Sequence, residues 1–269
     1  MKKLLTLVLA LTMVVMCLAG CGNNAATNSE AESDLAYITE KGKMVIGYTV
    51  YAPMNYTDDN GEFTGFDTEL AKAVCEKLGV EPEFIEIDWD TKEVELNAKN
   101  LDCIWNGFTI TEEREENLDF SKPYIENKQV VVIRKADAEK YTSAASLAEA
   151  NLVAEISSAG ESAIAEDAEL SKANYTAVAK QTDGLMEVKA GTADAVVLDV
   201  TLANAMVGEG TSYEDLQIVE GLDLAVEFYG VGFRTGSDVV AKVNEAFDAL
   251  IADGTMEALG AKYEVNICK

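Results

Sequence analysis

The stretch AKNLDCIWNGFT, residues 98–109, runs from a helical ending through a turn and an aspartate into a short apolar run, Cys103-Ile104-Trp105, then turns polar. A short apolar run bounded by turn residues is the pattern of a strand buried on both faces, as in a parallel sheet. The same plan returns at KAGTADAVVLDVT, residues 189–201. Ligands of open parallel sheets bind outside the carboxyl ends of the strands. The polar residues that follow each run are therefore the first candidates for a site. Two such units read as two lobes facing across a cleft. A single larger α/β domain is the alternative, which periodicity alone does not exclude.

The flanking chain fits an alternating plan. Residues 43–49 (KMVIGYT) read as a strand and Asp58-Asp59-Asn60-Gly61 as turn chemistry. A helix is expected over 67–78, with Asp67 as its cap, Gly79 as its stop, and Phe66, Leu70, Ala73, Val74 and Leu78 at helical spacing. Residues 82–87 and 101–105 read as further strands, with a helix ending over 94–99 between them. Strands at 130–134, 152–156, 195–198 and 224–233 alternate with helices at 160–167, 182–190, 238–251 and 256–263. That order indicates parallel α/β sheet. Segments near 127–135 and 222–230 are where the chain would cross between lobes.

Residues 1–20 open with Lys2 and Lys3, continue apolar from Leu4 to Met16 and end Leu18-Ala19-Gly20. This is the layout of a secretory signal, too short to span a bilayer. Cys21 directly after it resembles the lipid-bearing first residue of bacterial lipoproteins; an ordinary thiol after a plain secretory cut is the alternative. Residues 22–33 carry no aromatic and no large aliphatic side chain, so a flexible tether is expected over 21–35. The body would then be lipid-anchored at the extracytoplasmic face of a bacterial membrane.

With 48 acidic against 21 basic residues, the net charge is -27. Such a surface repels nucleic acid, and no nucleic-acid partner is expected. The chain has no histidine, which excludes Ser-His-Asp catalysis and every histidine-based metal site. Cys75, Cys103 and Cys268 lack CxxC spacing, so no metal is expected, and they allow one disulfide at most, in any of three pairings.

Within NGFTITEEREENLDFSKPY, residues 106–124, Thr111 can cap a helix whose first turn holds Glu112, Glu113 and Arg114. Acids suit the positive end of a helix dipole; an arginine does not, unless it points back towards the cap. Pointing back, it would meet backbone N–H groups near Thr109 and make a receptor for a carboxylate. Ile156-Ser157-Ser158-Ala159-Gly160-Glu161 reads as a strand-to-helix corner with a hydroxyl and free N–H groups, again an anion site. Asp199, at the tip of an apolar strand, needs a cation. Together these groups describe the two ends of a zwitterion, with surface salt bridges and helix caps as the alternative.

YAPMNYTDDNGEFTGFDTELAKAVCEKLG (51–79), NGFTITEER (106–114), DFSKPY (119–124) and GVGFRTGSD (230–238) resemble the family 3 solute-binding proteins of polar amino-acid ABC importers. The resemblance covers essentially the whole mature chain, in order. It implies a two-lobed, type II periplasmic-binding-protein-like α/β fold with two crossing strands, lobe 1 over 36–128 and 226–269, lobe 2 over 129–225. It implies a monomer that binds one free amino acid and serves a membrane permease and ATPase, with no cofactor and no catalytic residue. Position by position, Arg114 and Thr109 would grip the α-carboxylate with Ser158 and the backbone of Ala159. Asp199 would pair with the α-ammonium, helped by the carbonyl of Gly107. Tyr51 and Trp89 would wall the ligand's side chain, and Asn106 and Glu155 would touch it. Tyr48 departs from the aspartate that many relatives carry near the ammonium, and Ser157 from the glycine usual at the second-lobe corner. Glu155 facing the cleft would favour a cationic or hydrogen-bonding side chain over an acidic one. Two rivals share this fold: a dehydratase acting on cyclic hydroxy acids, and a free-standing amino-acid sensor.

Overall fold

The structure, a computed structural model of the chain, describes residues 33–268. The expected signal, Cys21 and most of the expected tether lie outside the described residues. Helix α1 (Asp34–Lys41) opens the body, with the Ser33 hydroxyl accepting from the N–H of Ala36 and Gly42 ending it in the left-handed region. Ser33 to Leu35, expected in the tether, thus belong to the fold. Asp34 is anchored by an ion pair to Arg234 at 3.0 Å.

Strand β1 (Lys43–Tyr48) is followed by the hairpin β2 (Tyr56–Thr57) and β3 (Phe63–Thr64), whose turn is tied by Asp58 Oδ1 accepting from the N–H groups of Asn60 and Glu62. Helix α2 (Phe66–Leu78) buries Phe66, Leu70 and Val74 of the expected stripe together with Ala71 and Cys75, while Ala73 and Leu78 are half-buried. Its N-cap is Gly65, not Asp67. The N–H groups of Phe66, Asp67 and Thr68 are taken by the carbonyls of Pro53 and Met54, so the helix needs no side-chain cap. A side chain at residue 65, where φ is +125°, would collide with the Met54 carbonyl at 2.1 Å. Asp67 is thereby released to turn inward.

The chain continues through β4 (Glu81–Glu86), α3 (Lys92–Asn97), β5 (Cys103–Ile104), the single turn α4 (Glu112–Glu115) and β6 (Leu118–Phe120). It crosses on β7 (Ile125–Arg134), then builds β8 (Asn151–Glu155), α5 (Ala159–Glu166), β9 (Asn174–Val178), α6 (Gln181–Ala190), β10 (Ala195–Asp199) and α7 (Val200–Met206). It returns on β11 (Leu216–Tyr229) into β12 (Gly232–Arg234), α8 (Val239–Ala252) and α9 (Thr255–Tyr263).

Two five-stranded sheets result, ordered β4-β1-β5-β12-β6 and β11-β7-β10-β8-β9. Neither is purely parallel, contrary to the expectation from alternation alone. β12 runs antiparallel to β5 and β6, and β7 antiparallel to β10 and β11, because these strands belong to the crossings and enter each sheet from the other lobe. β7 and β11 pair with Asn127 opposite Glu227 and Ile125 opposite Tyr229, which makes the crossing a two-stranded ribbon. In the first lobe Trp105, Tyr124 and Phe247 pack ring against ring at 5.8–6.3 Å and are almost wholly buried. Truncating Phe247 to alanine there costs about 3–5 kcal/mol. Cys75 and Cys103 are buried free thiols and Cys268 is a free, half-buried one. Among the described residues no helix is long and apolar enough to cross a membrane.

Candidate functional site

All ten residues singled out as ligand contacts line one cavity: Tyr51, Trp89, Asn106, Gly107, Thr109, Arg114, Glu155, Ser158, Ala159 and Asp199. Gln181 is an eleventh that the sequence reading did not pick. A larger, more open groove is lined by Asn127, Lys128, Val226 and Tyr263 among others, but none of the ten faces it. We therefore place the chemistry in the smaller cavity, where charged groups converge.

In the first lobe, β5 ends at the cavity and its tip supplies Asn106, Gly107 and Thr109. The Asn106 amide is committed inward: it donates to the Thr49 carbonyl and to Asn55 Oδ1, both at 2.8 Å, and accepts from the Thr49 hydroxyl at 2.7 Å. Gly107 sits at φ +55° and donates its N–H to Asp67 Oδ2 at 2.7 Å, the inward contact that Asp67 gains by not capping α2. Burial pushes the Asp67 carboxyl up to about 7, against the Gly107 bond that lowers it. Tyr51 is held by a 2.6 Å contact between its hydroxyl and that of Tyr229. Trp89 stands edge-on to Phe108 at 5.4 Å.

Arg114 points back, as the capping argument requires. Thr111 caps the turn by accepting from the Arg114 N–H, and the guanidinium lies over the Phe108 ring at 4.6 Å. Its partners are carbonyls rather than the expected N–H neighbours: Nη1 donates to Thr109 at 2.7 Å and Nη2 to Ser157 at 3.1 Å. Burial lowers its pKa, opposed by the charges of Glu227, Glu93 and Asp199.

In the second lobe, Ser157 adopts φ +56°, the left-handed geometry that explains why a glycine suits this corner. Its N–H donates to Glu161 Oε2 at 2.6 Å and its hydroxyl to Asp90 at 2.7 Å, while the Ser158 hydroxyl caps α5 by accepting from the Glu161 N–H. Glu155 lines the cavity. Its carboxyl is pushed up to about 8 by burial and by Asp199, opposed by Lys92 and Gln181. Asp199 accepts from Asn127 Nδ2 at 2.6 Å, from Gln129 Nε2 at 2.8 Å and from Gln181 Nε2.

Three more charged or polar groups were missed. Lys92 donates to the carbonyl of Trp89 beside it and to that of Ser157 across the cleft, and burial, then Arg114, lowers its pKa to about 8. Gln181 escaped because β9 exposes much of its length and offers no apolar run, so its tip was not sought. Glu227 lies within the crossing strand; a lone acid in LAVEFYGVGF was the available signal. Tyr48 does not line the cavity and packs with Phe63 and Phe84 instead.

Residues 44–266 match the family model of bacterial extracellular solute-binding proteins, family 3. The L-cystine-binding protein TcyA of Bacillus subtilis is 29% identical, with 97% of each chain covered. An amino acid ABC transporter substrate-binding protein from Streptococcus pneumoniae, solved bound to L-arginine, is 28% identical with a TM-score of 0.77, covering 88% of this chain and 100% of that one. An ancestral amino acid-binding protein described as a precursor of cyclohexadienyl dehydratase is 30% identical with a TM-score of 0.77, covering 86% and 99%.

Proposed function

This chain belongs to the bacterial extracellular solute-binding proteins of family 3, and from that premise we propose that it binds one free amino acid between its lobes for an ABC importer, as a lipid-anchored monomer outside the cell. The observation that carries the reading is the convergence of Arg114 and the Ser158–Ala159 corner with Asp199 on one cavity. Arg114 would take the α-carboxylate in a two-pronged grip. The Thr109 hydroxyl is turned to Glu227, so its main-chain N–H would serve the same carboxylate. Asp199 and the Gly107 carbonyl would take the ammonium. Tyr51 and Trp89 would wall the side chain, with Asn106 as wall rather than donor.

Glu155 sets the preference. A buried carboxyl facing the ligand's side chain favours a cationic or hydrogen-bonding group and disfavours an acidic one. Binding would close the lobes, and the closed form would be presented to a permease and its ATPase. A thermal-shift screen against the twenty amino acids, cystine, ornithine and citrulline tests this: a raised melting point under one polar neutral or cationic member is expected. No stabilisation by any of them contradicts it.

One observation favours a second reading, as a dehydratase. Glu155, buried with its pKa raised to about 8, has the properties of a general acid. We read the protein as a binder instead, because Asp199 answers an ammonium and no histidine is present. Aromatic product from prephenate or arogenate would reverse that choice.

A further inference from the structure

The head-group end of the cavity holds a second carboxylate behind Asp199. Glu227, on β11, is 7% exposed and Asp199, on β10, is 5% exposed. The Asn127 amide donates to Asp199 Oδ1 at 2.6 Å and to Glu227 Oε1 at 2.5 Å; the Gln129 amide donates to the same two oxygens at 2.8 and 2.9 Å. Each amide nitrogen carries two hydrogens and spends one on each carboxyl. Two acidic oxygens are thus clamped side by side, from strands on either side of β7. The Thr109 hydroxyl, reaching over from the first lobe, donates to that same Glu227 oxygen at 3.1 Å.

No bonded cation balances this pair among the described residues. Arg114 faces it, but both of its described hydrogen bonds go to carbonyls. The Tyr51 and Tyr229 hydroxyls face it from the first lobe and the crossing and are bonded to each other. Two full negative charges held this close and this buried repel strongly, and sharing one proton relieves the repulsion.

We propose that Glu227 is a positioning residue that carries a proton while the site is empty, and that an amino acid's ammonium group, arriving at Asp199, expels that proton on binding. The inference rests on the amino-acid reading given above. The arriving ammonium supplies the positive charge that the proton had supplied. The Glu227 O–H bond breaks, its electron pair stays on the carboxylate, and the proton passes to a water or buffer base. Glu227 then holds Thr109 and the two amides as a full anion, while Asp199 faces the ligand. Burial, then Asp199, raises the Glu227 pKa to about 8, in agreement with a proton held at neutral pH. Binding is accordingly weaker at low pH and improves until Glu227 is already ionised.

Isothermal titration at pH 7 in phosphate and in Tris, whose protonation heats differ widely, reads the proton directly. L-Glutamine is tried first, then the other amino acids with uncharged side chains; where only a cationic one binds, the titrations are made in a Glu155→Gln background, so that Glu155, held up to about 8, adds no proton of its own. The wild type is expected to release roughly 0.5–1 proton per ligand bound, seen as a buffer-dependent enthalpy. Glu227→Gln removes the release. If Glu227→Gln does not fold, the wild-type pH profile decides: affinity should rise between about pH 6 and 8 and level off above. Binding with no buffer dependence, a flat profile, or release that survives in Glu227→Gln overturns the inference alone. Absence of heat with every amino acid overturns the binding reading and this inference with it.

Discussion

Arg114, in the first lobe, donates from Nη2 to the main-chain carbonyl of Ser157, in the second, at 3.1 Å. The residue proposed to grip the ligand's carboxylate therefore also ties the lobes together. Lys92 reaches the same carbonyl at 3.3 Å, the Ser157 hydroxyl donates to Asp90, and Lys180 pairs with Glu86 at the cleft edge. Closure and recognition share one corner, and its left-handed residue fixes where that carbonyl points.

Arg114→Ala should weaken amino-acid binding by about 2–4 kcal/mol, the loss typical of truncating one partner of a desolvated charge pair. Calorimetric titration against the best ligand measures it. Unchanged affinity would remove Arg114 from the site.

Glu155→Gln should reduce the preference for L-arginine over L-glutamine by roughly tenfold, since a charge-assisted bond becomes a neutral one. Paired titrations of wild type and variant give the ratio. Glutamate or aspartate binding the wild type tighter than glutamine, lysine or arginine would refute the role given to Glu155.

Stability should fall as pH rises from about 5 to 8 in ligand-free protein. Asp67, at about 7, and Glu155 and Glu227, each at about 8, keep protons in the fold that the unfolded chain has already lost. The native state then binds more protons than the unfolded one, and unfolding becomes easier as pH climbs through that window. Lys92, lowered to about 8, acts in the opposite sense, but only above that pH. Scanning calorimetry should find a lower Tm near pH 8 than near pH 5; a higher one would contradict the burial assigned to these acids.

Gly107→Ala should lower both Tm and affinity. At φ +55° its new methyl would sit 2.6 Å from the Tyr51 ring and 3.0 Å from Tyr229. Strain of about 1–3 kcal/mol follows from the backbone alone, and Tyr51, a cavity wall, must move. Thermal melts with and without ligand separate the two effects.

The two repeated strand tips were legible because both are apolar runs ending in polar residues, a signal that survives without any tertiary information. Arg114 was legible from a conflict: an arginine in a helix's first turn has to point back. Gln181 and Glu227 were not. Their setting comes from pairings distant in sequence, Asn127 against Glu227 and β8 against β9, which no local pattern carries. Asp67 misled for a related reason. Its spacing suits a cap, but the Pro53 and Met54 carbonyls had already satisfied the helix end.

Recognition of both ends of a zwitterion by one cavity makes a sharp demand on ligands that lack one end. It is tested most directly by titrating the protein with L-arginine, or whichever amino acid stabilises it best, beside the same molecule lacking its carboxyl group and the same molecule acetylated on its α-nitrogen. Binding of the free amino acid is expected, with a loss of at least about a hundredfold for each derivative, one missing the partner of Arg114 and the other that of Asp199. Either derivative binding as tightly as the parent would contradict it.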